Sequence, residues 1–294
     1  MSVRTITIPG DLNVKDTVRG AKHPLMIGPT EIWWSTRTPD GIGTLNMERR
    51  TDTTMAAEAW GPGADWLLEQ APRLLGADDD LTGFEPTGKV RELWRRRPFL
   101  LARTDRPWDA IVAGIFGQKV QVANAVKARR LLARRHGEPA PGPRQGWVLP
   151  DPGQVAAMGY HQFHPLGVER KRAEILIRVA REMRRIGDFS DRTPEQAKAR
   201  LQRIRGIGPW TAAMVTASVM GDADAVPVGD FHIPNTVAWT MAQEPRATDE
   251  RMLELLEPYV GHRWRVIRLA KSSGSAPKYG PKLSLSGDGL HLGR

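Results

Sequence analysis

The sequence predicts a mainly α-helical protein that carries a small α+β subdomain at its N-terminus. Three observations predict this fold class. β-rich runs with turn signals are confined to residues 1–88, apolar residues recur at helical spacing from about residue 90, and a Gly-Ile-Gly turn separates two helical segments near residue 206. We therefore predict an N-terminal subdomain (1–88), a helical domain (89–271) and a basic, Gly/Ser/Pro-rich tail (272–294).

Short strands and one helix are predicted in the first subdomain. The runs TITIPGDLNV and EIWWSTRTPDGIGTLNM are β-rich, and Pro39-Asp40-Gly41 is a turn signal inside the second run. A Gly-Pro-Gly break at 61–63 precedes the helical pattern ADWLLEQAPRLLG. The acidic, turn-like stretch 75–88 then reads as a linker to the helical domain.

A first pair of helices is predicted at the start of the helical domain. Asp105 is placed to cap a helix that begins at Pro107, and the glycine in Gly117-Gln118-Lys119 interrupts its apolar stripe. A second helix continues to His136. The stretch 137–153 is rich in Pro and Gly and is predicted to be a loop.

Two further helices precede the glycine turn. Apolar spacing predicts a helix over 169–186. Thr193-Pro194-Glu195 combines a capping residue with a proline in the first turn, which predicts that a helix starts there.

Composition excludes several classes of chemistry. The 294 residues include no cysteine, so disulfides, thiolate zinc sites, Cys-ligated iron–sulfur clusters and a Cys nucleophile are excluded. No run of about 18 apolar residues indicates a membrane span. The N-terminus also lacks the layout of a signal peptide, so a cytoplasmic protein is expected.

Positive charge is concentrated in the C-terminal two thirds. Residues 1–100 carry 13 Lys/Arg against 14 Asp/Glu, whereas residues 101–294 carry 30 against 19. The net charge of +10 therefore resides in the helical region, as expected for a protein that binds a polyanion. A basic soluble protein without such a partner is the alternative that charge alone leaves open.

The turn at Gly206-Ile207-Gly208 is the most informative segment. One helix ends before it and Pro209 opens the next. Glycines let the backbone approach a ligand closely, and the unpaired N–H groups of a new helix favour an anion such as a DNA phosphate. An ordinary helix C-cap followed by a proline-started helix is the alternative interpretation.

Asp230 is the candidate catalytic residue. It follows the apolar, Gly/Pro-containing stretch 225–229, about 20 residues past the turn. Burying a carboxylate in an apolar setting costs free energy unless the carboxylate is paired, and such residues are frequent at functional sites. It could instead be a helix N-cap, and the two roles are compatible, because capped N–H groups keep a carboxylate ionised.

The string LQRIRGIGPWTA at 201–212, followed by Asp230, resembles the signature of the helix–hairpin–helix (HhH-GPD) DNA glycosylase superfamily. The resemblance implies a fold of two helical subdomains with Asp230 as the catalytic residue. It assigns DNA binding to Gly206, Ile207, Gly208 and Thr211. It also implies a structural Na⁺ or K⁺ on the backbone carbonyls of Gln202, Ile204 and Ile207. No cofactor is required, and no iron–sulfur cluster is expected.

The segments 107–120 and 166–173 resemble the alkylpurine branch of that superfamily, which includes bacterial 3-methyladenine DNA glycosylase II. The N-terminal α+β subdomain resembles the extra subdomain of the same enzymes. In superfamily members that also cut the strand, a nucleophilic lysine occupies the position of Trp210. Its replacement by tryptophan implies a glycosylase without lyase activity.

In that branch the residue after Gln118 fills the gap left by the flipped base. Here that residue is Lys119, a departure from the usual apolar wedge, so Gln118 or Val120 could fill the gap instead. The resemblance places Trp210, Met214 and Trp264 in the base pocket. Met214 stands where relatives have an aromatic residue. For the two tryptophans a purely structural role is the alternative, because a tryptophan at helical spacing often belongs to the core.

The expected function is therefore base excision repair of alkylation damage. The enzyme would flip an alkylated purine of the 3-methyladenine type out of duplex DNA and hydrolyse its N-glycosidic bond. The expected partner is double-stranded DNA with a damaged base; no membrane is involved, and a nucleoid-associated monomer is expected by analogy. The alternatives are a non-catalytic DNA-binding protein and a glycosylase of the same fold for oxidised or deaminated bases.

Overall fold

The N-terminal part of the computed structural model is a five-stranded antiparallel sheet with strand order β1-β5-β4-β3-β2. The model describes residues 2–19, 25–28, 30–274 and 276–277, so most of the predicted tail lies outside the described residues. The strands are β1 (Ser2–Thr7), β2 (Leu25–Ile27), β3 (Glu31–Thr38), β4 (Gly41–Thr51) and β5 (Thr54–Trp60).

The alternating sequence of β3 explains why the sheet has one buried face. Ile32, Trp34 and Thr36 point into the core, while the residues between them are half-buried. Thr38 pairs with Gly41 across the turn predicted at Pro39-Asp40-Gly41. The predicted α+β subdomain is confirmed.

Helices dominate the rest of the chain, which confirms the predicted fold class. Thirteen α-helices lie within the described residues: α1 (Val14–Arg19), α2 (Ala64–Leu74), α3 (Gly88–Arg96), α4 (Pro107–Phe116), α5 (Val122–His136), α6 (Pro152–Ala156), α7 (Tyr160–Phe163), α8 (Arg170–Ile186), α9 (Pro194–Gln202), α10 (Pro209–Val219), α11 (Ile233–Ala242), α12 (Asp249–Leu256) and α13 (Arg263–Ser272). None of these helices is long and apolar enough to cross a bilayer.

Three apolar clusters form the interior, and α10 belongs to two of them. The first cluster joins the sheet to α2. In the second, α4, α5, α8 and α9 surround one face of α10, and in the third α3, α11, α12 and α13 cover its other face. A helix that is apolar all round has to be enclosed, so α10 is buried between the two helical layers from Thr211 onward and only its N-terminus reaches the surface. The domain boundaries at 88 and 271 stay predictions.

Two local predictions fail for identifiable reasons. Asp105 does not cap α4; Arg106 occupies the N-cap position, and Asp105 has φ of +49° and accepts a hydrogen bond from Nε of Arg103 at 2.7 Å. The stretch 137–153 contains a small hairpin of β6 (Glu138–Pro139) and β7 (Trp147–Val148), not only loop. The predicted start of α9 is confirmed, because Thr193 and Gln196 form a reciprocal capping box.

One buried ion pair connects the linker to the last helix. Asp79, in the linker, accepts two hydrogen bonds from the guanidinium of Arg265 on α13, at 2.7 and 2.8 Å. The two side chains are 2% and 0% exposed. The linker is therefore fastened to the helix that carries Trp264.

Candidate active site

The hairpin between α9 and α10 is built around Gly206. Its φ is +102°, and an added Cβ would lie 2.5 Å from Cγ1 of Ile175. Ile207 is buried and its amide donates to the carbonyl of Ile204 at 2.9 Å, which closes the turn. Only glycine fits at 206, because both the backbone conformation and the close approach to α8 exclude a side chain.

Gly208 leaves the end of α10 open to a ligand. It is the N-cap residue of α10, and no protein atom lies within 4 Å of the position that its Cβ would take. The first-turn amides of the helix that begins at Pro209 have no partner within the helix, and the helix dipole adds positive potential there. The turn can therefore receive a phosphate through the backbone alone.

Gln118 ties the loop between α4 and α5 to this hairpin. Its Nε2 donates to the carbonyl of Gly206 and to Oγ1 of Thr211, both at 3.0 Å. The next residue, Lys119, is exposed and adopts a left-handed conformation with φ of +54°, while Val120 is half-buried. The hairpin and the candidate wedge residues are thus brought together, and Lys119 is the most exposed of the three.

Asp230 lies beside the hairpin, in the loop that leads into α11. Its Oδ1 accepts from the amides of His232 and Ile233 at 2.8 and 3.0 Å, and its Oδ2 accepts from Nε1 of Trp210 at 2.8 Å. Burial alone would raise the pKa of the carboxyl. The three N–H donors and the positive charge of Lys271 outweigh burial and hold the pKa below its ordinary value. His232 is the N-cap residue of α11, so Asp230 is not itself the N-cap, but it binds the amides at the start of the helix and stays ionised.

Lys271, in the last turn of α13, is near enough to Asp230 for the two charges to interact. The residue as a whole is exposed, but surrounding protein atoms desolvate its ammonium group and lower the pKa of Lys271. The negative charge of Asp230 opposes that shift. The positive charge of Lys271 therefore favours the ionised form of Asp230.

Met214 and Trp264 lie in one apolar cluster beside Trp210, the residue that donates to Asp230. They are 4% and 2% exposed and belong to one cluster, against which the half-buried Trp210 packs. Trp264 also lines a cavity of about 210 Å³ together with Phe99, Arg268 and Lys271. The three predicted pocket residues thus share one neighbourhood, but Trp210 serves Asp230 as a hydrogen-bond donor as well.

The carbonyl oxygens predicted to hold a monovalent cation lie along the hairpin. The Ile204 carbonyl already accepts the Ile207 amide, and within the described part of the chain no hydrogen bond reaches the carbonyls of Gln202 or Ile207. Hard oxygen donors on one turn fit Na⁺ or K⁺. The described residues contain no cluster of three His, Asp or Glu side chains that could hold a metal ion.

A protein-family model agrees with this arrangement. The model of the HhH-GPD superfamily of base excision DNA repair proteins matches residues 112–261, about half of the chain, including the hairpin and Asp230. The chain belongs to the HhH-GPD superfamily. It is therefore a DNA glycosylase, and the predicted family and fold are confirmed.

Known HhH-GPD proteins resemble the chain over most of its length. A DNA-3-methyladenine glycosylase of Bacillus subtilis is 24% identical over 228 residues, which is 70% of this chain and 75% of that protein. The structure of the Archaeoglobus fulgidus 3-methyladenine DNA-glycosylase superimposes with a TM-score of 0.78 at 16% identity, over 92% of this chain and 98% of that one. A Clostridium acetobutylicum 8-oxoguanine glycosylase/lyase bound to double-stranded DNA gives 0.70 at 9% identity, over 90% and 92%.

The HhH-GPD motif did not identify every residue at the site. Phe231, next to Asp230, is 85% exposed, and Arg268 and Lys271 line one cavity together with Trp264. Trp264, Arg268 and Lys271 are spaced i, i+4 and i+7, so a helical-face reading of α13 could have grouped them. An apolar residue in the polar loop at 229–232 was the available signal for Phe231.

Proposed function

We propose that the protein is a monofunctional DNA glycosylase that flips alkylated purines of the 3-methyladenine type out of duplex DNA and releases them by hydrolysis. The observation that carries the proposal is the ionised Asp230 carboxylate, held by three N–H donors beside the hairpin. Relatives named DNA-3-methyladenine glycosylase support the choice of base.

One carboxylate is enough for this reaction. As the bond from C1′ to the base breaks, the sugar becomes oxocarbenium-like, and a nearby carboxylate stabilises that charge and accepts a proton from the attacking water. A base that is already cationic departs as a neutral molecule. It needs no second acidic residue to protonate it, so Asp230 can act alone.

The remaining residues hold DNA and the extruded base. The α10 amides beyond Gly208 would bind a phosphate, and Lys119 would enter the space left in the duplex. Trp210, Met214 and Trp264 would surround the base. Flipping a damaged pair costs less than flipping an intact one, which gives part of the selectivity.

We further propose that strand cleavage does not accompany base release. Trp210 stands where a lyase has its lysine, and its Nε1 is committed to Asp230. Borohydride trapping tests this: we expect no covalent adduct with lesion-containing duplex. An adduct would contradict the proposal. Lys271, whose positive charge lowers the pKa of Asp230, would then be the first residue to replace in a search for the nucleophilic amine.

A base-release screen tests the substrate class. Duplexes carrying 3-methyladenine, 7-methylguanine, 8-oxoguanine or uracil are incubated with excess enzyme, and the free bases are separated. We expect release of the two methylated purines. Release confined to 8-oxoguanine or uracil would instead establish a glycosylase for oxidised or deaminated bases, and no release at all would leave only DNA binding.

A further inference from the structure

An arginine-lined groove begins at the hairpin and runs along the seam between α8 and α9. Its volume is about 500 Å³. Five arginines and one acidic residue, Glu182, line this arginine groove; the arginines are Arg178, Arg185, Arg200, Arg203 and Arg205. Asp230 is not among the lining residues, so the groove is distinct from the candidate active site. Its excess of positive charge suits a polyanion.

Two of the arginines fix the shape of the groove. Nη1 of Arg178 donates to the carbonyl of Arg205 at 2.8 Å, which holds the hairpin against α8. Nε of Arg200 donates to the carbonyl of Arg185 at 2.6 Å, which joins α9 to the last turn of α8. The two walls are therefore held together by the protein itself, and a ligand would meet a preformed surface.

The other three arginines have guanidinium groups available to a ligand. Arg203 and Arg205 are exposed, and their side chains form no hydrogen bond with any described residue. Arg185 pairs with Glu182 at 3.3 Å, but its side chain is 80% exposed, and an ion pair of this kind contributes little to stability. Guanidinium groups match the geometry of phosphate oxygens, so phosphate is the anion that these residues favour.

The groove continues directly from the proposed phosphate site. Arg205 precedes Gly206 and is three residues from Gly208, so at most about 11 Å separates Arg205 from Gly208 along the chain. On α8 the wall of the groove extends from Arg178 to Ile186, which is about 12 Å at about 1.5 Å per residue. One DNA strand advances about 3.4 Å per nucleotide, so this wall matches about three to four nucleotides.

We propose that the arginine groove binds the backbone of the same duplex for about three to four nucleotides on one side of the phosphate at Gly208. The inference rests on the duplex binding in the proposed function and adds a second contact surface to it. Arg185 and Arg203 hold phosphates at the part of the groove beyond the hairpin. Glu182 repels the strand and limits its affinity.

The salt dependence of duplex binding tests the contact at Arg203. Fluorescence anisotropy gives the Kd of an undamaged duplex and of a duplex with a tetrahydrofuran abasic site, over a series of KCl concentrations. Loss of one phosphate contact lowers the slope of log Kd against log [KCl] by about 0.9 and weakens binding about tenfold near 0.1 M salt. We expect both changes in Arg203→Gln and neither in Arg50→Gln, which removes an exposed arginine of β4. A wild-type slope in Arg203→Gln would overturn the proposal.

Glu182→Gln should have the opposite effect. Removal of the one acidic side chain in the groove should strengthen duplex binding about two- to threefold. Glu174→Gln is the matched control, because Glu174 is an exposed residue of the same helix that pairs with Arg170 outside the groove. A variant that fails to fold cannot bind more tightly, so the gain is independent of stability. Equal affinities of Glu182→Gln and wild type would also overturn the proposal.

Hydroxyl-radical footprinting on the abasic duplex locates the contact. In the combined variant Arg185→Gln/Arg203→Gln we expect protection to be lost over about three to four nucleotides at one edge and kept at the abasic site. A footprint as long as that of wild type would contradict the groove.

None of these measurements depends on base release. A changed salt slope in an enzyme that releases no base would refute the proposed function and support the groove. Base release together with an unchanged slope would refute the groove alone.

Discussion

The charge state of one carboxylate depends on neighbours that are far apart in sequence. Trp210 approaches Asp230 from α10, the amides of His232 and Ile233 from its own loop, and Lys271 from α13. Each of these groups favours the ionised form, which can stabilise a cationic sugar. Replacing any one of the side chains should therefore alter catalysis through the pKa of Asp230.

Lys271→Met should move the acid limb of the pH–rate profile to higher pH. Release requires ionised Asp230, so activity is lost as pH falls through the pKa of its carboxyl. The ammonium group of Lys271 lowers that pKa, and its removal must raise it. The measurement is single-turnover release of 7-methylguanine between about pH 2 and pH 7, because the wild-type pKa of the carboxyl lies below its ordinary value, with Arg50→Met as the control. An acid limb that stays in place would show that the two charges are not coupled.

Trp210→Phe should slow release while keeping an aromatic ring. The substitution removes the Nε1–H donor at 2.8 Å from Asp230. Hydrogen bonds to charged groups contribute about 1.5–3 kcal/mol, so we expect a fall of about 10- to 100-fold and a raised pKa of the carboxyl. Trp94→Phe, a substitution in α3, is the control. Wild-type rates in Trp210→Phe would mean that the ring alone matters.

Sequence reasoning reached the motif residues but not their contacts. Gly206, Gly208, Trp210 and Asp230 were predicted from the local motif and its resemblance to the superfamily, and the structure brings Trp210 and Asp230 into contact. The role of Trp210 as a donor depends on how α10 and the loop at 229–232 meet. Arg268 contacts Asp16, 252 positions away, and no local pattern encodes such a contact.

At the scale of elements, the hairpin is held from two sides. Gly206 packs against Ile175 of α8, and Gln118 fastens the loop after α4 to the carbonyl of Gly206 and to Thr211. The two glycines consequently have different tasks. Gly206 is required for the hairpin to pack against α8. The space at Gly208 faces outward, where DNA would lie.

Matched alanine substitutions should separate these tasks. Gly206→Ala should destabilise the fold by about 1–2 kcal/mol or more, because φ is +102° and the methyl group would meet Ile175 at 2.5 Å. Gly208→Ala, where φ is −95°, should leave stability unchanged but weaken duplex binding by about tenfold. Urea unfolding and anisotropy titrations measure the two effects, and equal loss of stability in both variants would contradict this division.

At the scale of the molecule, helical periodicity and turn signals predicted most elements, including the N-terminal α+β subdomain and the start of α9. The failures involve side-chain and strand pairing, which the apolar period does not report. Asp105 pairs with arginines instead of capping α4, and the hairpin of β6 and β7 forms where composition indicated only loop. The Asp79–Arg265 pair across 186 positions is equally invisible to local patterns.

Asp79→Asn should be strongly destabilising, because it leaves the fully buried guanidinium of Arg265 without a counter-charge. Loss of one partner of such a pair costs about 3–5 kcal/mol. The neighbouring Asp78→Asn removes only partly exposed ion pairs with Arg73 and Arg103 and should cost under about 1 kcal/mol. Urea denaturation distinguishes the two; similar midpoints would show that the linker is not fastened to α13.

The central claim is that Asp230 performs the chemistry, and single-turnover release of 7-methylguanine by Asp230→Asn tests it most directly. Asparagine keeps the shape of the side chain but removes its charge. We predict that duplex affinity stays within about threefold while release falls by about 10²–10⁴-fold, and that the control Asp188→Asn retains release. Release by Asp230→Asn at a rate near that of wild type would contradict the account.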